Sequence, residues 1–135
     1  MTPSDEFPVT LDQTAEAVQS LVTGNAKPFL ALWSRREDVT VMGGFGGYLR
    51  GWDHVRQNTE LAASRFRGGH ISVERVASGT SGELAYAVWL ERGDVYVTDG
   101  AEAVPLVVRV TQIFRREDDA WKLIHRHGDQ VADKS

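Results

Sequence analysis

From Leu11 onward the chain repeats apolar residues at helical spacing. Leu11, Ala15, Val18 and Val22 fall on one side, with Asp12, Gln13, Glu16 and Gln19 between them. Gly24 supplies a stop, so a first amphipathic helix is predicted. Asn25 is a cap for a second, shorter helix that tolerates Pro28 in its first turn and buries Phe29, Leu32 and Trp33. Asp38 to Met42 reads as a short strand, and Gly43 to Tyr48 as a glycine-rich hairpin turn. That stretch lacks the lysine-serine/threonine ending of a phosphate loop. Gly51 opens a third helix with Trp52, Val55, Thr59, Ala62 and Phe66 on one stripe, ended by Gly68-Gly69. Beyond Gly69 the helical period vanishes. His70 to Ser78, Leu84 to Arg92, Val95 to Thr98, Val104 to Arg116 and Trp121 to His127 read as strands.

Helices first and antiparallel strands after predict an α+β fold with the helices closing over one face of a curved sheet. Residues 9–130 are expected to form one domain, after a loosely docked lead-in over 1–8 and before a short tail over 131–135. At 135 residues, with 41% apolar and 25% charged residues, the chain is long enough for a real core. It has no cysteine, which excludes disulfides, thiolate metal sites and a cysteine nucleophile. The net charge is −4 with scattered arginines, so nucleic acid is not an expected partner. No uncharged run approaches the ~20 residues of a membrane span. Asp5 and Glu6 stand where a signal peptide would be basic, so no membrane association and a cytoplasmic location are expected.

The last hairpin sorts side chains by face. Glu117-Asp118-Asp119-Ala120 is a turn, and pairing Arg116 with Trp121 puts Phe114 opposite Leu123, Gln112 opposite His125 and Val110 opposite His127. One face then collects Val108, Val110, Gln112, Phe114, Trp121, Leu123, His125 and His127, and is the expected pocket face. The other carries Arg109, Thr111, Ile113, Arg115, Lys122, Ile124 and Arg126, and is expected to meet solvent or a second copy. A slip of one residue would exchange the two.

The residues Gly51 to Val55, Leu84 to Val88, Arg109 to Arg116 and Trp121 to His127 resemble those of the nuclear transport factor 2-like superfamily, in its SnoaL-like and ketosteroid-isomerase-like branch. The likeness spans Leu11 to Asp129. The tryptophan and histidine-x-histidine ending is also similar to the association domain of calcium/calmodulin-dependent protein kinase II. The resemblance implies a cone-shaped, cystatin-like α+β barrel, usually a homodimer, with a pocket between the third helix and the concave sheet. Its members include isomerases, cyclases, dehydratases and assembly modules. The aspartate base that ketosteroid isomerases carry before the third helix has no counterpart in Val41-Met42-Gly43-Gly44.

Candidate chemistry follows from this arrangement. His125 and His127, two apart on one strand, are candidate proton carriers. The bland alternative is one core-capping histidine and one at the sheet end. Glu91, in phase with Ala85, Ala87 and Trp89, is a candidate base, or else pairs with Arg92 or Arg109. Gln112 would orient His125 or bind a ligand carbonyl. Trp33, Trp52, Trp89 and Tyr48 are candidate pocket walls, although aromatic residues at such spacings are more often ordinary core. His125, His127 and Asp129 could together be read as metal ligands, but no further suitably spaced histidine accompanies them, and neither metal nor cofactor is expected. His54 and His70 read as exposed, and no serine has a triad setting. The expectation is a small-molecule pocket protein, an isomerase, dehydratase or cyclase acting by proton transfer on an apolar carbonyl compound. Its rival is a non-catalytic ligand-binding or dimerisation module that pairs through the convex face of the sheet.

Overall fold

The computed structural model describes residues 2–43 and 47–131. Three helices, α1 (Pro3–Val22), α2 (Lys27–Leu30) and α3 (Trp52–Ala63), lie against one face of a six-stranded curved sheet. The strands are β1 (Thr40–Gly43), β2 (Tyr48–Arg50), β3 (Phe66–Ser81), β4 (Leu84–Val97), β5 (Val104–Glu117) and β6 (Ala120–Gln130). Their order is β2-β1-β6-β5-β4-β3, antiparallel except for β1 and β6, which run parallel. The predicted α+β architecture is the one observed. Much of the glycine turn predicted over Gly43 to Tyr48 lies outside the described residues, as does most of the predicted tail.

The first helix begins at Pro3 and not at Leu11, which corrects the loosely docked lead-in. Thr2 and Asp5 form a reciprocal capping box ahead of it. Phe7 is 3% exposed and packs edge-on against Phe114 and Trp121, at centroid distances of 5.1 and 5.4 Å. The Trp121 indole donates to the Pro3 carbonyl at 2.8 Å. A start at Leu11 was read because Pro3 and Pro8 break the apolar period, but the first helical position tolerates proline, its missing N–H having no helical partner there. Gln19, assigned by spacing to the outer side of the helix, instead ties α1 to β3. Its amide donates to the Gly69 carbonyl and its carbonyl accepts from the Ile71 N–H, at 3.0 and 2.8 Å.

Two other predicted boundaries move. Gly68-Gly69 lies inside β3 and does not end a helix, because α3 stops at Ala63 and a bulge between Phe66 and Gly68 absorbs the irregularity. The strands predicted over Leu84 to Arg92 and Val95 to Thr98 are one strand, β4, running through Gly93. A side chain at Gly93 would collide with the His70 carbonyl, its Cβ only 1.7 Å away, so the glycine permits the close pairing of β3.

The core fills the space between α1, α2, α3 and the concave face. Leu11, Val18 and Val22 of α1, Phe29, Trp33, and Val55 of α3 meet Ala87, Trp89, Val110, Phe114 and Leu123 of the sheet. Truncating Phe7→Ala in this core should cost about 3 kcal/mol, measured by urea denaturation. A loss under about 0.5 kcal/mol would match a loosely docked segment and contradict the packing.

Candidate functional site

The position of every functional side chain on β6 depends on one irregularity. The turn at Asp118 and Asp119, with φ of 50° and 63°, is the two-residue kind that matches strand twist, and it starts the predicted register. Arg116 faces Trp121 and Phe114 faces Leu123, as expected. Between Ile113 and Phe114 the register then shifts, so that Ile113 faces His125, Gln112 faces Arg126, Thr111 faces His127 and Val110 faces Gly128. Ile124 is the additional residue. The shift occurs where β6 changes its outer neighbour: the Leu123 N–H and C=O bond to Leu32 and Ser34, and from His125 onward β6 pairs with β1.

The bulge reverses the alternation, so the expected placement of the two histidines is corrected. His125 and His127 are on the outer face, and Arg126 is on the concave face. His125 Nδ1 is hydrogen-bonded to Thr40 Oγ1 at 2.8 Å. Burial, with a smaller contribution from His127, pushes the His125 pKa below the ordinary imidazole value, so the ring is neutral at neutral pH. His127 is exposed beside Thr111 and Arg109. Asp129 is held by Arg109 at 2.8 Å, and among the described residues no group of three or more His, Asp or Glu side chains is placed to hold a metal.

The concave side holds a partly open cavity of about 280 Å³. Val18, Leu21 and Val22 of α1, Phe29 and Trp33, Asn58, Thr59 and Ala62 of α3, and Val41, Leu106 and Val108 of the sheet form most of its wall. The charged groups in that wall are Glu91 and Arg126. Glu91 is 4% exposed. Its Oε1 accepts from Arg126 Nη2 at 2.7 Å, and its Oε2 accepts from Arg126 Nη1 at 3.0 Å and from the Trp89 indole at 2.9 Å. Arg126 Nη1 also donates to Gln112 Oε1 at 3.0 Å, and the guanidinium lies over the Phe29 ring. Gln112 is fully buried, and its Nε2 has no partner among the described residues.

Of the residues expected at the site, Glu91 lines the cavity, and Gln112 stands behind it as a ligand of Arg126, not of His125. Trp89 acts through its indole N–H on Glu91 and is not a pocket wall. Trp52 is not in the wall either, because the Arg35 guanidinium covers its ring at 3.8 Å, and Tyr48 is 72% exposed on β2. Trp33, weighed as a wall and as core, does line the cavity. Arg126 is the residue sequence reasoning misses, because strict alternation puts it outside.

The SnoaL-like domain family matches residues 10–133. The chain belongs to this family. Among curated proteins none matches the sequence. Solved structures similar to this SnoaL-like domain include a candidate dehydratase of the NTF2-like family from Streptomyces avermitilis, 18% identical over 96% of each chain with a TM-score of 0.77. A ketosteroid isomerase-like protein from Erwinia carotovora atroseptica is 15% identical over 96% of this chain and 98% of its own, with a TM-score of 0.76. A candidate calcium/calmodulin-dependent protein kinase type II association domain from Thiobacillus denitrificans is 18% identical over 92% and 94%, with a TM-score of 0.74. At these identities the likeness is one of fold, and fold alone selects no activity.

The Glu91–Arg126 pair makes a double-mutant test possible. Arg126→Met alone should destabilise the domain by about 3–5 kcal/mol, because it leaves a buried carboxylate uncompensated. Combining it with Glu91→Gln should recover more than half of that loss in urea denaturation. Additive losses would mean that the two side chains do not act as a pair.

Proposed function

We propose that this SnoaL-like domain binds a small, largely apolar molecule in the cavity between its helices and sheet. The observation that carries the reading is the Glu91–Arg126 pair, the charged groups in a wall that is otherwise mostly apolar, with Asn58, Thr59 and Gln130 as its neutral polar members. Replacing a buried ion pair by apolar residues of similar volume is often neutral or stabilising, so the pair has weak value as a structural support and greater value for recognition or chemistry. The chemistry open to it is proton transfer on a carbonyl compound, as in a cofactor-independent isomerase, dehydratase or cyclase. Glu91 would move the proton. His125 and His127 have no part in it, since both lie on the opposite face of the sheet.

The rival, ligand binding without turnover, is favoured by a specific feature of the same pair. Glu91 already accepts three N–H groups, so a substrate proton would have to compete with them for its oxygens. A panel of carbonyl compounds tested by thermal shift separates the possibilities. A true ligand at a hundredfold excess over its Kd adds about 2.7 kcal/mol of apparent stability, a rise of several degrees for a domain of this size. Glu91→Gln should retain binding and reduce any turnover at least ~10²-fold. Turnover unchanged in that variant excludes Glu91, and no stabilisation by any compound counts against the cavity as a binding site.

The outer face supports the reading of a homodimer. Leu84, Tyr86, Met42 and Val76 are exposed there, with Val88 and Ile113 half-buried, and Arg109, Arg92 and Asp129 lie at the margins. An apolar centre with a charged rim is the composition of an interface core. Tyr86→Glu should convert a dimer to a monomer in sedimentation equilibrium. A wild-type protein that is monomeric at 100 μM, taken as an order-of-magnitude upper limit for a specific dimer, would exclude this arrangement.

A further inference from the structure

The helix wall of the cavity carries a hydroxyl that the fold itself does not use. Thr59 is the polar member among the buried residues of α3, which are Val55, Thr59 and Ala63. Other buried polar side chains are bonded: Thr14 donates to the Thr10 carbonyl, Ser34 donates to Glu117, and Glu91 and Gln112 accept from Arg126. Thr59 makes no side-chain hydrogen bond to a described residue, not even the bond back to the carbonyl four residues earlier that Thr14 makes. Thr10 lacks a side-chain partner too, but it lines a separate groove beside Glu6 and Arg116. Thr59 is 7% exposed, yet its oxygen is not one of the enclosed polar atoms without a partner among the described residues, which are Trp33 Nε1, Gln112 Nε2 and Arg116 Nη1. The oxygen therefore keeps accessible surface, and the cavity that Thr59 lines is the space open to it.

Asn58, the residue before it, also lines the cavity, is half-buried, and has no side-chain hydrogen bond to a described residue. Successive helical positions project about 100° apart, so the amide and the hydroxyl reach the cavity from two directions. Each can both donate and accept. Gln130, the third neutral polar residue of the wall, is exposed at the end of β6 and meets solvent. Glu91 and Arg126 belong to the sheet, across the cavity from α3, and their charges balance each other. Thr59→Val would keep the shape of the side chain and remove a hydroxyl that has no protein partner among the described residues, so packing gives no reason for threonine here.

We propose that Asn58 and Thr59 form a ligand-orienting subsite on the helix wall, which takes a neutral hydroxyl group of a largely apolar molecule. This inference rests on the reading of the cavity as a small-molecule site, and it names the side chains that set specificity there and the group they recognise. A hydroxyl donates one hydrogen bond and accepts others, as the two side chains do, so both are satisfied at once. A ketone of the same size supplies acceptor sites alone and leaves Asn58 Oδ1 without a donor. A hydrocarbon displaces water from both side chains and replaces none of its bonds. A carboxylate is disfavoured, because the cation in the described wall, Arg126, is already paired with Glu91.

The test titrates 1-phenylethanol, acetophenone and ethylbenzene separately into the full chain labelled with ¹⁵N and follows the side-chain amide signals. Asparagine stands at positions 25 and 58 alone, and Asn58→Ala identifies the signal of Asn58. 1-Phenylethanol is expected to bind at least about fivefold more tightly than ethylbenzene, as one net hydrogen bond allows. It should also bind more tightly than acetophenone and move the Asn58 signal. Thr59→Val should reduce the preference for the alcohol over the hydrocarbon at least about threefold, while Thr59→Ser, which keeps the hydroxyl, retains it. Asn58→Ala, at a half-buried position, is the second variant and should lower the preference likewise. Without ligand, Thr59→Val should leave the Tm within about 2 °C of the wild type or raise it, and a larger fall overturns the inference, because the hydroxyl then supports the fold. Equal binding of the alcohol and the hydrocarbon, a ketone bound as tightly as the alcohol or more so, or a preference unchanged in both variants also overturns it, and each leaves the small-molecule reading standing. Failure of all three compounds to bind overturns the inference and the small-molecule reading together.

Discussion

Ile124 is one residue more than β6 needs to match β5, and the placement of chemistry in this domain depends on it. A residue absorbed in a bulge breaks the alternation, so the positions beyond it lie on the faces opposite to those that unbroken counting from Trp121 would assign. Here the exchange falls between Leu123, which must face the core, and Arg126, which reaches Glu91 and Gln112. The insertion is stabilised from outside the hairpin. Leu123 spends its outward backbone groups on Leu32 and Ser34, whereas His125 onward pairs in parallel with β1. Two neighbours that are not continuous with each other meet β6 at one point, and the extra residue lets the strand serve both.

The consequence for energetics is a charged pair set into a mostly apolar cavity wall. Arg126 alone on the concave face would be prohibitively desolvated, and so would Glu91 alone. Together, with the Trp89 indole and the Gln112 carbonyl completing the bonds, they are tolerated. Four side chains on three adjacent strands thus share one hydrogen-bonded unit, and its geometry is fixed by the rigid part of the fold. That rigidity places recognition groups more precisely than a loop does. Both Glu91 oxygens are already bonded, so whatever enters the cavity must compete with an existing network.

The sheet, the helices and the turn at Asp118-Asp119 were legible in the sequence because each has a local cause: periodicity, glycine stops and a two-residue turn. Glu91 was legible too, since Ala85, Ala87 and Trp89 mark its strand face without interruption. Arg126 was not. Trp121, Leu123, His125 and His127 form an unbroken alternation that looks more regular than the true one, and no glycine or proline marks the bulge. Its cause lies in the pairing of Leu123 with a segment some ninety residues earlier, which no local window contains. The first turns of α1 were hidden for a different reason, because Pro3 and Pro8 interrupt the apolar period although Phe7 is a core residue.

The bulge also gives this strand an unusual evolutionary position. Along most strands, changing the chemistry of a cavity requires substitutions, each of which must be compatible with the packing around it. At Ile124 no substitution is needed: deleting it would only iron out the bulge and leave His125, Arg126 and His127 on their present faces, whereas pairing it opposite Ile113 would turn both histidines toward Glu91 and send the arginine outward. Two different sets of functional groups are therefore encoded in the same seven residues from Trp121 to His127, and they are separated by whether one residue is bulged or paired.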